Sequence, residues 1–311
     1  MRVWSQVDGR WCEGESGNGP HWFDLNRADE ATLRDLAARY ALHQLAIDDC
    51  LSPYFHTPKL EDFGAYLFII LGGIAEGREE PELEELDVFL GETFLITYHD
   101  ASDPPPAVAA VEAALRQGQA LRPGASGLFY EVADRAVDAI IPRVIEMGAS
   151  LDEVQEAILT TAGARESYGM VLSRRSLTGR LRRMLAPQQQ AMLRLGRDEF
   201  PMIPESNRPY FRDVYDHMLR VDLLLEEIRE DTEVALSMYL SALNNRLSEV
   251  MKVLAVVSAL ALPGTVITGI FGTNFDNVPG LHSTWGFGLM MAAIAGFAGG
   301  MALYFRRRGW F

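Results

Sequence analysis

Hydrophobic positions are spread unevenly along this chain. From Val253 to Phe271, and again from Trp285 to Phe305, no Asp, Glu, Lys or Arg interrupts the run. A hydrocarbon core about 30 Å thick takes roughly 20 helical residues to cross, so both runs are long enough. Two such runs joined by one short polar connection are hard to hide in a soluble core, and they predict two transmembrane helices. Arg246 and Lys252 precede the first run, Arg306, Arg307 and Arg308 follow the second, and the connection has no Lys or Arg. Positive residues stay on the cytoplasmic side, so both termini are expected in the cytoplasm and the loop outside. Trp285, Tyr304 and Trp310 stand where interfacial aromatics stand. The expected segments are a first span at 253–271, an external loop at 272–284, a second span at 285–305 and a basic tail at 306–311. The N-terminal end has no apolar stretch of signal-peptide type, so a removable targeting segment is not expected.

Upstream, no Gly or Pro occurs from Tyr210 to Leu262. One long helix is predicted, a stalk over 206–252 that continues into the first span. Its apolar seam is Val214, Val221, Leu224, Ile228, Ala235, Met238 and Ala242, at helix-packing steps. Inside the first span the seam continues as Ser248, Met251, Leu254, Ser258, Leu262, Thr265 and Gly269, all on one face. Two readings of that face stand. Ser, Thr and Gly are common where membrane helices touch; alternatively, several copies could set this face around a pore. Pro263 should kink or weaken the helix. In the second span Gly296 and Gly300, with small neighbours, predict close contact with the first.

The rest of the pattern divides at a Pro-rich break, Ala101–Pro106. Residues 1–105 look mixed α/β. Strand character is found at Met1–Val7 and His21–Leu25, with an Asp8-Gly9 turn. Helices are predicted at Glu30–Ala41, capped by Asn26 or Asp29, and at Gln44–Leu51. Tyr66–Leu71 reads as a buried strand, and Leu86–Leu90 with Phe94–Tyr98 as a hairpin-like edge of the same sheet. Residues 106–205 read as helical: Ala107–Gln117, Gly127–Thr161 with acidic faces, and Met170–Leu185 with Arg174, Arg175, Arg180, Arg182 and Arg183. Pairing of that basic helix with its acidic neighbours explains it more simply than nucleic-acid binding.

Composition adds limits. The chain has 311 residues and a net charge of −15, which repels nucleic acid and favours cations near its surface. The two cysteines, Cys12 and Cys50, lie in the expected cytoplasmic part, where a disulfide is not expected. No two of the six histidines pair at helical spacing, so no preformed zinc site is legible. There is no phosphate-cradling glycine loop and no nucleophile elbow, and an enzyme is not expected. Asp48-Asp49 and Glu61-Asp62 read as surface groups.

The segment LSEVMKVLAVVSALALPGTVITGIFGTNFDNVPG resembles the C-terminal region of the CorA family of divalent-cation channels. Gly272-Thr273-Asn274 stands where that family has Gly-Met-Asn, and Phe275, Asp276 and Pro279 follow in family-like order. PYFRDVYDH at Pro209–His217, HTPKLEDFGAYLF at His56–Phe68 and the FRRRGWF tail are similar to further family segments. The resemblance implies a homopentamer in the inner membrane, with a cytoplasmic α/β funnel domain, an all-α stalk and two C-terminal transmembrane helices. It also implies a selectivity filter of Gly272, Thr273 and Asn274, with Asn274 as an external ring. An Asn oxygen can meet the hydration shell of Mg²⁺ without stripping it. The resemblance places Thr265, Leu262, Leu254 and Met251 along the pore, with Met251 and Leu254 as a hydrophobic gate. It makes Asp213 a regulatory metal ligand that keeps the channel closed when cytoplasmic Mg²⁺ is high.

Three departures bear on ion choice. Thr273 replaces the signature Met, as in the ZntB-like branch that is linked to zinc. Ser248 stands where Asn often faces the inner pore, and Gly280 where a glutamate is common. The leading expectation is a channel for Mg²⁺, with Co²⁺ and Ni²⁺ as further cargo. The alternatives are a ZntB-like Zn²⁺ transporter, proton-coupled in one form, and a non-conducting membrane scaffold or ion sensor.

Overall fold

The computed structural model describes residues 1–75, 83–159, 164–197, 200–273, 278–279 and 283–310. It divides into two compact units, Met1–Leu236 and Ser237–Phe311.

The first unit is built on a seven-stranded sheet: β1 (Arg2–Val7), β2 (Arg10–Glu13), β3 (His21–Asn26), β4 (Lys59–Asp62), β5 (Tyr66–Ile74), β6 (Leu83–Gly91) and β7 (Phe94–His99). The order is β2-β1-β3-β7-β6-β5-β4, and only the β3–β7 pairing is parallel. Asp8 and Gly9 close the first hairpin with φ of 51° and 79°, the paired positive values of a type I′ turn. After β3 the chain leaves the sheet through a capping box. Asn26 accepts from the Ala28 N–H while Asp29 Oδ2 accepts from the Asn26 N–H. Then come α1 (Glu30–Tyr40) and α2 (Gln44–Leu51). Their Leu33, Leu36, Ile47 and Cys50 pack with Phe23, Phe68, Phe89 and Tyr98 on one face of the sheet.

The other face is covered by α4 (Gly124–Leu159) and α5 (Ala164–Leu195), with α3 (Pro106–Arg116) against α4. Coverage on both faces is why β5 reads as an unbroken apolar run rather than an alternating one. At Gly72 a Cβ would stand 2.4 Å from the Met184 side chain of α5, so a larger residue would have to displace that methionine. The Gly72 N–H donates to Gln188 Oε1 at 2.8 Å.

One sequence expectation is overturned here. The β6–β7 hairpin is not at an edge: β7 lies between β3 and β6, and the edges are the short β2 and β4. An apolar, uncharged strand such as β7 is a poor edge, because its open hydrogen bonds would recruit other chains.

The last long helix, α6, runs from Arg208 to Phe271 and belongs to both units. Within the first unit it packs on α4 through Phe211 against Phe129 and Tyr210 against Tyr130. Its buried seam is Phe211, Val214, Met218, Val221, Leu225, Ile228, Thr232 and Ala235. Leu225, not the expected Leu224, carries the register, because steps of four then three continue from Val221. The basic helix pairs at Arg182 with α6 and not with the acidic 127–161 stretch: Arg182 meets Asp222 at 3.0 Å and also Glu226.

In the second unit α6 is followed by α7 (Gly286–Arg307). Lys252 Nζ donates to the Gly309 carbonyl at 3.2 Å, and Gly264 lies against Ile294, so the two helices run antiparallel. Phe305 stacks on Trp310 at 5.2 Å and closes that end. Helical structure continues through Pro263 without a break. The Thr265 and Thr268 hydroxyls donate to the Ala261 and Gly264 carbonyls, the i−4 back-bonds that such side chains make within a helix. The glycine stripe of α7 does not do what was expected. Gly296 and Gly300 are exposed with nothing near them, while Gly286, Met290, Ile294, Ala298, Met301, Ala302 and Phe305 are the more buried positions.

Candidate metal cluster and membrane-helix face

Two places concentrate the chemistry. The first lies between α4 and α6 of the first unit. Asp134 and Asp138 are one turn apart on α4, and Asp213 and His217 are one turn apart on α6. The Phe129–Phe211 and Tyr130–Tyr210 contacts lock the helices so that these pairs face each other. His217 Nδ1 is 3.1 Å from Asp138 Oδ1 and 3.7 Å from Asp134 Oδ1. One donor atom from each of Asp134, Asp138 and His217 lies within 4.8 Å of the others. Asp134 Oδ1 and His217 Nδ1 are buried and have no hydrogen-bond partner. Burial, and then the Asp138 carboxylate, hold the Asp134 carboxyl above its ordinary range, with His217 pulling the other way and Asp213 and Glu131 adding to the rise. Burial, and then Asp134, Glu131 and Asp213, push the Tyr130 phenol up to about 12. Acids crowded together with orphaned donor atoms fit a cation: two carboxylates and an imidazole can hold a divalent ion. Asp213 itself is exposed beside this cluster, close enough to shift both Asp134 and Tyr130.

The sequence reading singled out Asp213 and missed its three neighbours. The signal was present as two i, i+4 pairs, but each pair alone is an ordinary helix surface, and only the packing of α4 on α6 joins them.

The second place is the membrane-helix face. Ser248, Met251, Leu254, Ser258, Leu262, Thr265 and Gly269 are all exposed. From Ser248 to Phe271 the positions of α6 that are covered are Lys252, Val256, Ala259, Leu260, Pro263, Gly264, Ile267 and Phe271, on the side of α7. At about 100° per residue, Ser258 is some 200° from Val256 and Thr265 some 200° from Pro263. The seam therefore points away from α7. The most apolar stretches of α6 and α7 are 6% and 0% buried by this chain.

At the end of α6, the Gly272 N–H donates to the Thr268 carbonyl at 2.9 Å and the Thr273 hydroxyl to the Ile270 carbonyl at 2.7 Å. Thr273 thus closes the helix end, a bond that methionine at this place cannot make. Gly272 and Thr273 are exposed. Asn274, Phe275, Asp276 and Gly280 lie outside the described residues.

A family model described as CorA-like Mg²⁺ transporter protein matches residues 17–307. The cobalt/magnesium transport protein CorA of Thermotoga maritima is 28% identical over 302 residues, covering 94% of this chain and 83% of that protein. The complete structure of a CorA magnesium transporter from Methanocaldococcus jannaschii superposes with a TM-score of 0.87 at 19% identity, over 100% of this chain and 98% of the other. The cytoplasmic domain of ZntB from Vibrio parahaemolyticus superposes with a TM-score of 0.61 at 14% identity, over 80% and 98%.

Proposed function

Because the chain belongs to the CorA-like Mg²⁺ transporter family, we propose that it is a homopentameric channel for hydrated Mg²⁺, with Co²⁺ and Ni²⁺ as further cargo. It sits in the inner membrane with both termini in the cytoplasm. In this reading the Ser248–Gly269 seams of several copies surround one aqueous axis, and each α7 lies on the outside. The carrying observation is the separation of faces on α6: one side is taken by α7, and the seam with Ser258 and Thr265 is left free.

Asn274, with Gly272 and Thr273 behind it, forms the outer ring. Amide oxygens accept from the ion's water shell, so the ion is recognised before it is dehydrated. Met251 and Leu254 form the gate, which is closed by dewetting. A cytoplasmic cation held by Asp213 and the Asp134–Asp138–His217 cluster favours the closed state. It works by relieving repulsion among those acids, and its differential affinity for the two states sets the size of the shift.

The experiment is ion uptake into proteoliposomes. Mg²⁺ influx in the wild type and background flux in Asn274→Ala are expected. Undiminished influx in that variant rejects the filter. Thr273 favours one second reading, a Zn²⁺ transporter: Zn²⁺ uptake that follows a proton gradient, without Mg²⁺ flux, selects it. No divalent flux from a correctly assembled oligomer selects the non-conducting scaffold.

A further inference from the structure

The first unit holds another acidic cavity, between α2 and the β6–β7 strands. Its volume is about 450 Å³, and Cys50, Glu85, Asp87, Tyr98 and Asp100 line it, with no Lys or Arg in the lining. Strand alternation puts Glu85 and Asp87 on one face of β6, and Asp87 is in register with Tyr98 of β7. Asp87 is 4% exposed and Tyr98 is 1% exposed, yet neither Asp87 Oδ1 nor the Tyr98 hydroxyl has a hydrogen-bond partner.

The surrounding charges are already committed elsewhere. Glu85 accepts from the His56 N–H at 2.5 Å and lies 3.0 Å from His56 Nδ1. Asp100 faces Arg27 at 3.4 Å, and Asp49 is bound by Lys59 at 2.7 Å. Asp87 has no cationic partner among the described residues. Burial, and then repulsion from Glu85, hold its carboxyl well above the ordinary range. Burial and the adjacent Asp87 likewise keep the Cys50 thiol protonated, so Cys50 supplies a neutral neighbour and not a thiolate. The cavity thus holds a buried carboxyl with no cationic partner among the described residues, and it offers oxygen donors.

We propose that this cavity is a second cytoplasmic cation site, taking a divalent ion of the Mg²⁺ class on Asp87 and Tyr98, with Glu85 as an outer acceptor. Hard oxygen donors suit such an ion, and a cavity of this size admits it with part of its water shell. The inference rests on the proposed handling of divalent cations only for the ion's class.

The test is Mn²⁺ titration of the full-length detergent-solubilised protein, with bound ion counted by electron paramagnetic resonance. Asp87→Asn keeps the shape and removes the charge. It is expected to bind one Mn²⁺ fewer per chain, while His217→Ala keeps this site and loses only the α4–α6 ion. Glu85→Gln is expected to weaken this class of site by roughly tenfold or more. Unchanged stoichiometry and affinity in Asp87→Asn overturn the proposal. If that variant misfolds, Tyr98→Phe decides, because loss of one site supports the proposal and full binding overturns it. If only the His217-dependent ion is ever seen, this inference fails while the regulatory reading stands; if the wild type binds none, both fail.

Discussion

In the first unit β5 buries every residue from Tyr66 to Leu71, and α4 and α5 close the face that α1 and α2 leave open. In the second unit α6 covers one side against α7 and leaves Met251, Leu254, Leu262 and Ile270 exposed. One unit completes its own core, and the other leaves an apolar face that this chain does not cover. The polar groups differ in the same sense. Trp22, Thr97 and Asp24 form a closed buried chain at 3.0 and 2.7 Å, whereas Ser258 and Thr265 stand on an open face. A self-sufficient core is sensitive to any cavity, while an open face tolerates substitution in folding and registers it in function.

The sharpest contrast comes from Phe89→Ala in the closed core, which is expected to cost about 3–5 kcal/mol, read by thermal unfolding. Leu254→Asn on the open face is expected to leave the unfolding temperature in place and to raise Mg²⁺ leak several-fold, because a polar ring no longer dewets. A large loss of stability there would place Leu254 in a packed contact and not in a gate. At the α4–α6 cluster, saturating Mg²⁺ stabilises the wild type by up to about 2.7 kcal/mol at a hundredfold excess over the dissociation constant. Asp213→Asn and Asp134→Asn reduce that shift.

The pH dependence has a definite sign. Asp134 has a carboxyl raised above 3.8, so the folded chain holds that proton more tightly than the unfolded one. Metal-free stability therefore falls as pH rises from about 3.8 through the folded value, and Asp134→Asn flattens the slope. The smallest effect belongs to Thr273→Val. Losing the hydroxyl bond to Ile270 costs about 0.5–1.5 kcal/mol, and Thr273→Ser restores it.

Much of this architecture is legible in the residues because local signals agree with the fold. Asp8-Gly9 specifies its turn, Asn26 with Asp29 its cap, and the Gly- and Pro-free stretch from Tyr210 to Leu262 its helix. The central place of β7 is not legible, because strand order depends on the parallel β3–β7 pairing, which no local pattern encodes. The α7 contact face was misread for a different reason. Small residues permit close approach but do not require it, and Ile294 and Met290 gain more from contact. The metal cluster and the Asp87 cavity stay hidden in the sequence because each joins residues from separate elements.

The central claim is that the Ser248–Gly269 seam faces shared water. In a background with Cys12→Ser and Cys50→Ser, membrane-impermeant thiol reagents should modify Thr265→Cys in proteoliposomes and block Mg²⁺ flux, and should leave Ile267→Cys untouched. Protection of Thr265→Cys, or equal reaction at Ile267→Cys, contradicts the account.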